Sequence, residues 1–220
     1  MPDVEHYIKV CAATELTAVP LVPEITLYSA ENAYEVWEIT SRPTGEAPVP
    51  YWSFPWPGGQ ALARHLLHRP ELVAGRVVLD VAAGSGLVAI AAAMAGASRA
   101  IANDVDELAG AAQELNARAN GVRIEPLIAD LLDGDLPAGV DVVVAGDVCY
   151  ERDLAARLIG FLERAAEAGA LVMLADPGRT YLPNHGLDPI ASYDVPTSLA
   201  IEGDAVRHTT LWRPRAERSD

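Results

Sequence analysis

The sequence RVVLDVAAGSGLVAI at residues 76–90 decides the fold. It begins as an apolar, β-branched run, passes through small residues from Ala82 to Gly86, and continues as an alanine-rich segment. Small residues such as Gly84 and Gly86 let the backbone turn sharply and approach a ligand. The N–H groups at the start of the following helix would point toward that ligand. The stretch therefore predicts a β-strand, a tight ligand-facing loop and a helix.

The segments that follow repeat this alternation of strand and helix. Strand patterns cover residues 76–81, 99–103, 122–129, 140–145 and 171–175, and helical patterns cover 87–95, 106–120 and 153–168. Continuous Val/Leu/Ile strands separated by helices are typical of a parallel sheet covered on both faces. Two alternating segments, 190–195 and 205–212, are joined by a turn at 202–204 and predict an antiparallel pair at the edge. We therefore predict an α/β fold with a doubly wound, mostly parallel seven-stranded sheet and an antiparallel edge strand.

The first 57 residues differ in character from the rest. They are rich in proline and predict an irregular segment, with one strand around residues 24–29 and a short helix around 32–39. Gly58 and Gly59 then open an amphipathic helix that Pro70 ends. We predict that residues 1–57 are an N-terminal extension packing near the active site, and that residues 58–220 form one domain.

The composition argues against several classes of partner. The chain has 31 acidic and 16 basic residues, a formal charge of −15, so its surface would repel nucleic acids and anionic membranes. Two cysteines are too few for a disulfide framework. The N-terminus shows no secretory or transit pattern, and the longest apolar stretch, residues 86–97, is shorter than the roughly 20 residues of a membrane span. We expect a cytoplasmic protein that binds neither nucleic acid nor membrane.

Three aspartates, Asp80, Asp104 and Asp130, stand at the ends of predicted strands, where open α/β sheets bind their ligands. Residues 84–89 also fit the dinucleotide pattern G-x-G-x-x-A, with Asp104 near the expected offset of about 20 residues. Three carboxylates around one pocket would, however, repel a pyrophosphate. S-adenosylmethionine instead offers an ammonium to Asp80, ribose hydroxyls to Asp104 and an adenine amine to Asp130. Each aspartate taken singly is equally compatible with a turn or a helix cap.

Residues 80–86 resemble the first motif of the class I S-adenosylmethionine-dependent methyltransferases, D/E-x-G-x-G-x-G. Gly84 and Gly86 match its second and third glycines, whereas Ala82 stands at the first glycine position. An alanine is tolerable there if its backbone has a negative φ. The resemblance implies a Rossmann-like fold, S-adenosylmethionine as cofactor, and Ala82, Gly84 and Gly86 among the residues that bind it.

The segment GDVCYE at residues 146–151 follows the apolar strand 140–145. It lacks the prolines of the N/D-P-P-Y segment of adenine, cytosine and glutamine methyltransferases. Its D-x-x-Y pattern resembles the family 16 methyltransferases, most of which modify lysine side chains. This resemblance implies that Asp147 accepts the ammonium of a substrate lysine and that Tyr150 offers its ring or hydroxyl. The alternative is that Asp147 caps the next helix and Tyr150 only packs.

Two further stretches, WSFPWPGGQAL at residues 52–62 and DPGR at 176–179, narrow the resemblance. Together with residues 146–154 they are similar to the family 16 enzymes that methylate lysines of the electron transfer flavoprotein β subunit. This resemblance runs from about Tyr51 to Trp212 and implies a protein substrate that presents a lysine. Trp56 would lie against the cofactor or over the acceptor channel, with a core tryptophan as the alternative. Arg179 would anchor a substrate-side loop unless it is simply a solvated turn residue.

Two other activities remain possible on the same residues. A small-molecule N-methyltransferase of nicotinamide type would use the same fold and would need an enclosed, aromatic acceptor pocket. A nicotinamide-dinucleotide oxidoreductase is less favoured, because Lys9 is the only lysine and no catalytic Tyr–Lys pair is recognisable. No metal site is expected, since His65 and His68 lie one helical turn apart without a third ligand and fit a solvated helix face.

Overall fold

The computed structural model describes residues 3–40 and 49–215. Its elements in chain order are α1 (Val4–Ala13), β1 (Glu15–Val19), β2 (Val22–Ser29), α2 (Ala33–Thr40), α3 (Pro57–His68), β3 (Val77–Val81), α4 (Leu87–Met94), β4 (Arg99–Asp104), α5 (Glu107–Ala119), β5 (Glu125–Ile128), β6 (Val142–Gly146), α6 (Arg152–Glu167), β7 (Leu171–Asp176), β8 (Leu187–Pro196), α7 (Leu199–Glu202) and β9 (Val206–Pro214).

Seven strands form one sheet in the order β5-β4-β3-β6-β7-β9-β8. The pairs among β5, β4, β3, β6 and β7 are all parallel. Strand β9 runs antiparallel to β7, and β8 pairs antiparallel with β9 at the edge. The predicted doubly wound sheet with an antiparallel edge is confirmed. The strand order reverses between β3 and β6, which is where open α/β sheets bind ligands.

Alternate residues of the central strands face opposite helical layers. Val144 and Met173 belong to the cluster that α3 and α4 cover. Their neighbours Val143 and Leu174 pack on the other face with Phe161 of α6. Because both faces are buried, β6 is apolar at every position rather than at every second one.

The N-terminal segment is more ordered than the sequence predicts. The prediction of an irregular segment is wrong for its described residues, since α1 and a β1–β2 hairpin precede α2. The side chains of Asn116 in α5 and of Asn120 directly after it bind the backbone of Tyr28 and Thr26. Ile25 joins the apolar cluster of α3 and α4. These stabilising contacts come from residues about 90 positions away, which a local pattern does not reveal.

Two further elements differ from the prediction. Strand β5 covers only Glu125–Ile128 instead of residues 122–129. The turn expected at 202–204 is preceded by the short helix α7, which ends at Gly203 in a left-handed conformation. Among the described residues, no helix has the length and apolar character needed to cross a membrane.

Candidate active site

A cavity of about 610 Å³ opens at the carboxyl ends of β3, β4 and β6. Its volume lies within the range of small-molecule and cofactor sites. The structure brings together eight of the site residues predicted from the sequence, namely Trp56, Asp80, Ala82, Gly84, Asp104, Asp130, Asp147 and Tyr150.

Gly86 is the predicted site residue that does not line this cavity. Its φ of 79° turns the chain into α4, for which it is the N-terminal cap. A Cβ added there would lie 3.1 Å from the side chain of Gln113 and 3.2 Å from that of Ile124. The glycine is therefore required by the turn and by packing behind the loop, and the prediction of a direct cofactor contact is not supported by its position.

Ala82 adopts a backbone conformation that the sequence analysis did not expect. Its φ is 52°, in the left-handed region, so the condition of a negative φ is wrong. The next amide, that of Ala83, donates to the carbonyl oxygen of Asn103 at 2.8 Å and ties the loop to the end of β4. The left-handed conformation costs an alanine roughly 1–2 kcal/mol. This explains why the first motif has a glycine at the position of Ala82.

Asp80 and Asp104 face the cavity from neighbouring strand ends. Asp80 accepts a hydrogen bond from the backbone N–H of Ala89 in α4, and burial raises its pKa to about 8. Asp104 accepts from the backbone N–H of Gly84 at 2.8 Å and from those of Val105 and Asp106. Burial raises the pKa of Asp104, against the opposing effect of these donors. Asp104 therefore also fixes the small-residue loop against β4.

The hydrogen-bonding chemistry of these two side chains discriminates between cofactors. Within the described part of the chain, neither Asp80 nor Asp104 forms an ion pair. A pyrophosphate would add negative charge next to them, whereas an ammonium and ribose hydroxyls would supply the missing partners. The donor and acceptor chemistry of the cavity therefore fits S-adenosylmethionine.

Asp130 is held differently from the other two. One of its carboxylate oxygens accepts a hydrogen bond from Arg157 at 2.7 Å, and the other accepts from the backbone N–H of Leu132. The Arg157 guanidinium lowers the pKa of Asp130, and half of the Asp130 side chain is exposed. Arg157 itself lines the cavity, so a ligand amine would have to share Asp130 with it.

The start of α3 packs directly on the end of β6. A Cβ at Gly58 would lie 2.6 Å from the carbonyl oxygen of Ala175, and one at Gly146 would lie 2.8 Å from the amide nitrogen of Gly59. These distances exclude side chains at both glycines. The close approach lets the N–H of Gly58 donate to the carboxylate of Asp147, whose φ is 61°. Asp147 is thus bound to the first turn of α3, not to the helix that follows it.

Asp147 also belongs to a buried ion-pair chain that the sequence analysis did not predict. Its Oδ1 accepts from Arg179 Nη2 at 2.7 Å, and the same Nη2 donates to Glu202 Oε1 at 2.6 Å. The side chains of Asp147, Arg179 and Glu202 are 6%, 19% and 3% exposed. Burial raises the pKa of Asp147 to about 7, while Arg179 opposes the rise.

Aromatic rings form the outer wall of the cavity. The ring of Tyr150 lies 5.1 Å from that of Tyr51, which lies 5.9 Å from Trp56, measured between centroids. The indole Nε1 of Trp56 donates to the carbonyl oxygen of Tyr51 at 2.7 Å, and Arg179 lies over the indole ring. Tyr150 remains 40% exposed, so this wall borders the cavity mouth. Burial raises the pKa of Tyr150 to about 12, so its hydroxyl keeps its proton at neutral pH.

The two histidines of α3 are not arranged as expected. His65 is buried, and its Nδ1 lies 3.0 Å from the hydroxyl of Tyr193, so the prediction of a solvated helix face is wrong for this residue. The reason is that α3 packs against β8 and β9 on that side. No cluster of three or more potential metal ligands is found among the residues that the structure describes.

Sequence analysis missed Tyr51, Arg157 and Glu202. Tyr51 directly precedes the stretch at residues 52–62, which contains Trp56, so this neighbourhood is the sequence signal that points to it. Arg157 and Glu202 carry no local pattern, because their carboxylate and guanidinium partners lie 27 and 23 positions away. For Arg179 the sequence predicts only a loop anchor or a solvated turn residue, and no local pattern indicates its contact with Asp147.

Comparison with known proteins gives relatives over most of the chain. A family model described as ribosomal protein L11 methyltransferase (PrmA) matches residues 65–166. The electron transfer flavoprotein beta subunit lysine methyltransferase of Xenopus laevis is 38% identical, and the match covers 90% of this chain and 82% of that protein. The enzyme of the same description from Danio rerio is 37% identical, with 88% and 76% covered.

A solved structure supports the fold. Magnesium protoporphyrin IX methyltransferase from Synechocystis PCC 6803, with bound S-adenosylmethionine, superposes with a TM-score of 0.50 at 17% identity. The match covers 70% of this chain and 76% of that one. At this identity the likeness concerns the class I methyltransferase architecture only.

Proposed function

The chain belongs to the family of electron transfer flavoprotein beta subunit lysine methyltransferases, and we propose that its substrate is a lysine of an electron transfer flavoprotein β subunit. It is an S-adenosylmethionine-dependent methyltransferase with a class I fold. The relatives do not favour a small-molecule acceptor. The unpaired carboxylates of Asp80 and Asp104 do not favour a dinucleotide.

The observation that carries the proposal is the position of Asp147. This buried carboxylate lies at the carboxyl end of β6, lines the cavity, and is followed by the partly exposed Tyr150 at its mouth. A buried carboxylate is costly unless it is partnered. Asp147 is held by Gly58 and Arg179 with room left on its oxygens for an N–H donor. We assign it the role of accepting a hydrogen bond from the lysine amino group.

The cofactor side of the cavity would be formed by Asp80, Gly84 and Asp104, with Trp56 at the acceptor end. Asp80 would bind the cofactor ammonium and Asp104 the ribose hydroxyls, and Asp130 would bind the adenine amine alongside Arg157. When bound, S-adenosylmethionine supplies a methyl group on a sulfonium, which is electrophilic without further activation. The protein therefore contributes mainly positioning and exclusion of water.

The N-terminal extension, residues 1–57, is proposed to complete the active site. Tyr51, Trp52, Phe54 and Trp56 of this segment line the cavity, and α1 and the β1–β2 hairpin pack on α5 and α4 behind it. Both cysteines are free thiols, which agrees with a reducing compartment such as the cytoplasm.

The test uses a purified electron transfer flavoprotein β subunit and labelled S-adenosylmethionine, with the modified residue identified by mass spectrometry. We expect the parental protein to methylate lysine. Asp147→Asn keeps the shape and the tolerance for a positive φ, and removes one charge-assisted contact. The loss of about 1.5–3 kcal/mol should lower the methylation rate at least tenfold, with the affinity for S-adenosylmethionine near the parental value.

Tyr150→Phe is the matched variant at the other predicted acceptor residue. It keeps the ring against Tyr51 and removes only the hydroxyl. A parental rate in Tyr150→Phe would assign the role to the ring. If Asp147→Asn methylates the β subunit at the parental rate, Asp147 has only a structural role and the assignment is refuted.

A further inference from the structure

Arg179 lies between two buried carboxylates at the acceptor end of the cavity. Its Nη2 is 2.7 Å from Oδ1 of Asp147 and 2.6 Å from Oε1 of Glu202. Its backbone N–H donates to Oδ1 of Asp176 at 2.6 Å, which fixes the loop that carries it. The guanidinium is therefore held by two carboxylates, and the backbone that carries it is held by a third.

The chain of ion pairs continues beyond Glu202. Glu202 binds Arg179 and also Arg207, whose Nε lies 3.1 Å from Oε2 of Glu202. Arg207 Nη1 also lies 3.1 Å from Oδ2 of the exposed Asp204, so three carboxylates, those of Asp147, Glu202 and Asp204, meet two guanidinium groups. The carboxylate of Asp147 thus faces the guanidinium of Arg179 before any substrate arrives, in contrast to Asp80 and Asp104, which have no cationic partner among the described residues.

The chemistry of the acceptor gives the pairing of Asp147 with Arg179 a consequence. A lysine ammonium has no lone pair, so it must release one proton to water before its nitrogen can form the N–C bond. The S–C bond of the donor breaks as the N–C bond forms, and the positive charge passes from sulfur to nitrogen. An unpaired carboxylate beside the lysine would raise the lysine pKa, and a nearby guanidinium lowers it.

We propose that Arg179 is a positioning residue that pairs with Asp147 so that the acceptor site favours the neutral lysine amine over the ammonium. Asp147 then orients the neutral amine through a hydrogen bond. It does not hold back the proton that the lysine has to release to water. The inference rests on the proposed function and adds to it how the acceptor loses its charge.

Other titratable side chains lie around Asp147 and Arg179, and their charge states have to be the same in every variant that is compared. The titratable or charged side chains around Asp147 and Arg179 are Cys149 and Tyr150 on the β6–α6 connection, Asp176 at the end of β7, Glu202, Arg207 and its partner Asp204 on the β8–β9 side, and Tyr51 on the extension. Burial raises the pKa of Cys149 and of Tyr150 to about 12, so both are neutral near pH 7. A difference between two Arg179 variants therefore reports on the residue at 179.

The test is the pH dependence of kcat/KM for Arg179→Gln, with a purified electron transfer flavoprotein β subunit as substrate. We expect the acid limb of the profile to move up by roughly one to two pH units. At neutral pH this lowers kcat/KM by about tenfold per unit, and the deficit narrows as the pH rises. Binding of the β subunit, measured with S-adenosylhomocysteine present, should become equal or up to about tenfold tighter, because Asp147 then pairs with the ammonium.

Two variants serve as controls. Arg179→Lys restores the positive charge and should return the acid limb toward its parental position. Glu202→Gln changes the same ion-pair chain by one charge but leaves Arg179 on Asp147, so its acid limb should stay or move down. This second variant also tests the proposal should Arg179→Gln fail to fold, since an upward shift in Glu202→Gln would overturn it.

A lower rate of Arg179→Gln at every pH, with an unshifted acid limb and weaker binding of the β subunit, would assign Arg179 a purely structural role and overturn the inference alone. Absence of methylation by the parental protein would overturn the proposed function and this inference with it.

Discussion

Replacement of Ala82 by glycine should stabilise the protein. Ala82 has a φ of 52° and an exposed side chain, so the variant relieves a left-handed alanine without opening a cavity. The relief is roughly 1–2 kcal/mol, and the greater freedom of glycine in the unfolded chain takes back about 0.4–1 kcal/mol. The expected net gain is about 0.5–1 kcal/mol, or a rise of about 1–4 °C in Tm for a chain of this size.

The neighbouring Ala83 provides the matched control. Its φ is not positive and its methyl group packs on the core, so Ala83→Gly should lose about 0.4–1 kcal/mol or slightly more. Urea denaturation of both variants without cofactor, with the slope m compared to that of the parental protein, measures the difference. Equal losses of stability in the two variants would show that the backbone at Ala82 is not strained, and the argument about the motif would fail.

Three further outcomes are expected. Asp104→Ala removes three backbone contacts and the proposed ribose acceptor. It should weaken S-adenosylmethionine binding in calorimetry by roughly one to two orders of magnitude, more than Asp104→Asn does. Unchanged affinity would show that the ribose is held elsewhere, with Asp106 as the next candidate. The folded pKa of Asp80, about 8, exceeds its ordinary value of 3.8, so this carboxyl costs stability progressively as the pH rises between the two values. Asp80→Asn should therefore gain stability over the parental protein from pH 5 to about 9 in urea denaturation, and a constant difference would contradict this. S-adenosylmethionine should raise Tm and NAD should not; tight NAD binding alone would refute the cofactor assignment.

The sheet could be predicted from the sequence because its information is local. Each central strand is a continuous apolar run, and the loop at residues 82–86 marks the first turn into a helix. Asp80, Asp104 and Asp147 could be placed at one edge, since the carboxyl ends of parallel strands meet there. The pairing of β1 with β2 and the helix α1 could not, because Asn116 and Asn120 bind the backbone of β2 from a distant segment, and α1 is bound to α5 through Tyr7 and Glu114.

Local sequence patterns also did not reveal which side chains form ion pairs with the site residues. The pairing of Asp130 with Arg157 joins a strand end to the middle of α6, and that of Arg179 with Glu202 joins the loop after β7 to the end of α7. The requirement for glycine at 58 likewise follows only once α3 is known to begin against β6. Residue types at strand ends predict which groups meet, whereas their charge state depends on side chains contributed from elsewhere.

The charge states divide the cavity into two halves that match the two reactants. S-adenosylmethionine carries a permanent positive charge on its sulfonium and an ammonium besides. Asp80, which has no cationic partner among the described residues, can pair with that ammonium, and Asp104, which also has none, can accept from the neutral ribose hydroxyls. A lysine has to shed its charge before it reacts, and the carboxylate assigned to it, Asp147, already has a cation in Arg179. If Asp147 had no cationic partner, the site would bind lysine as the unreactive ammonium. If an arginine paired with Asp104, that arginine would compete with the ribose hydroxyls for the carboxylate. An arginine beside Asp104 and none beside Asp147 would therefore impair both cofactor binding and methyl transfer. The positions of the arginines around the aspartates matter as much as the aspartates themselves.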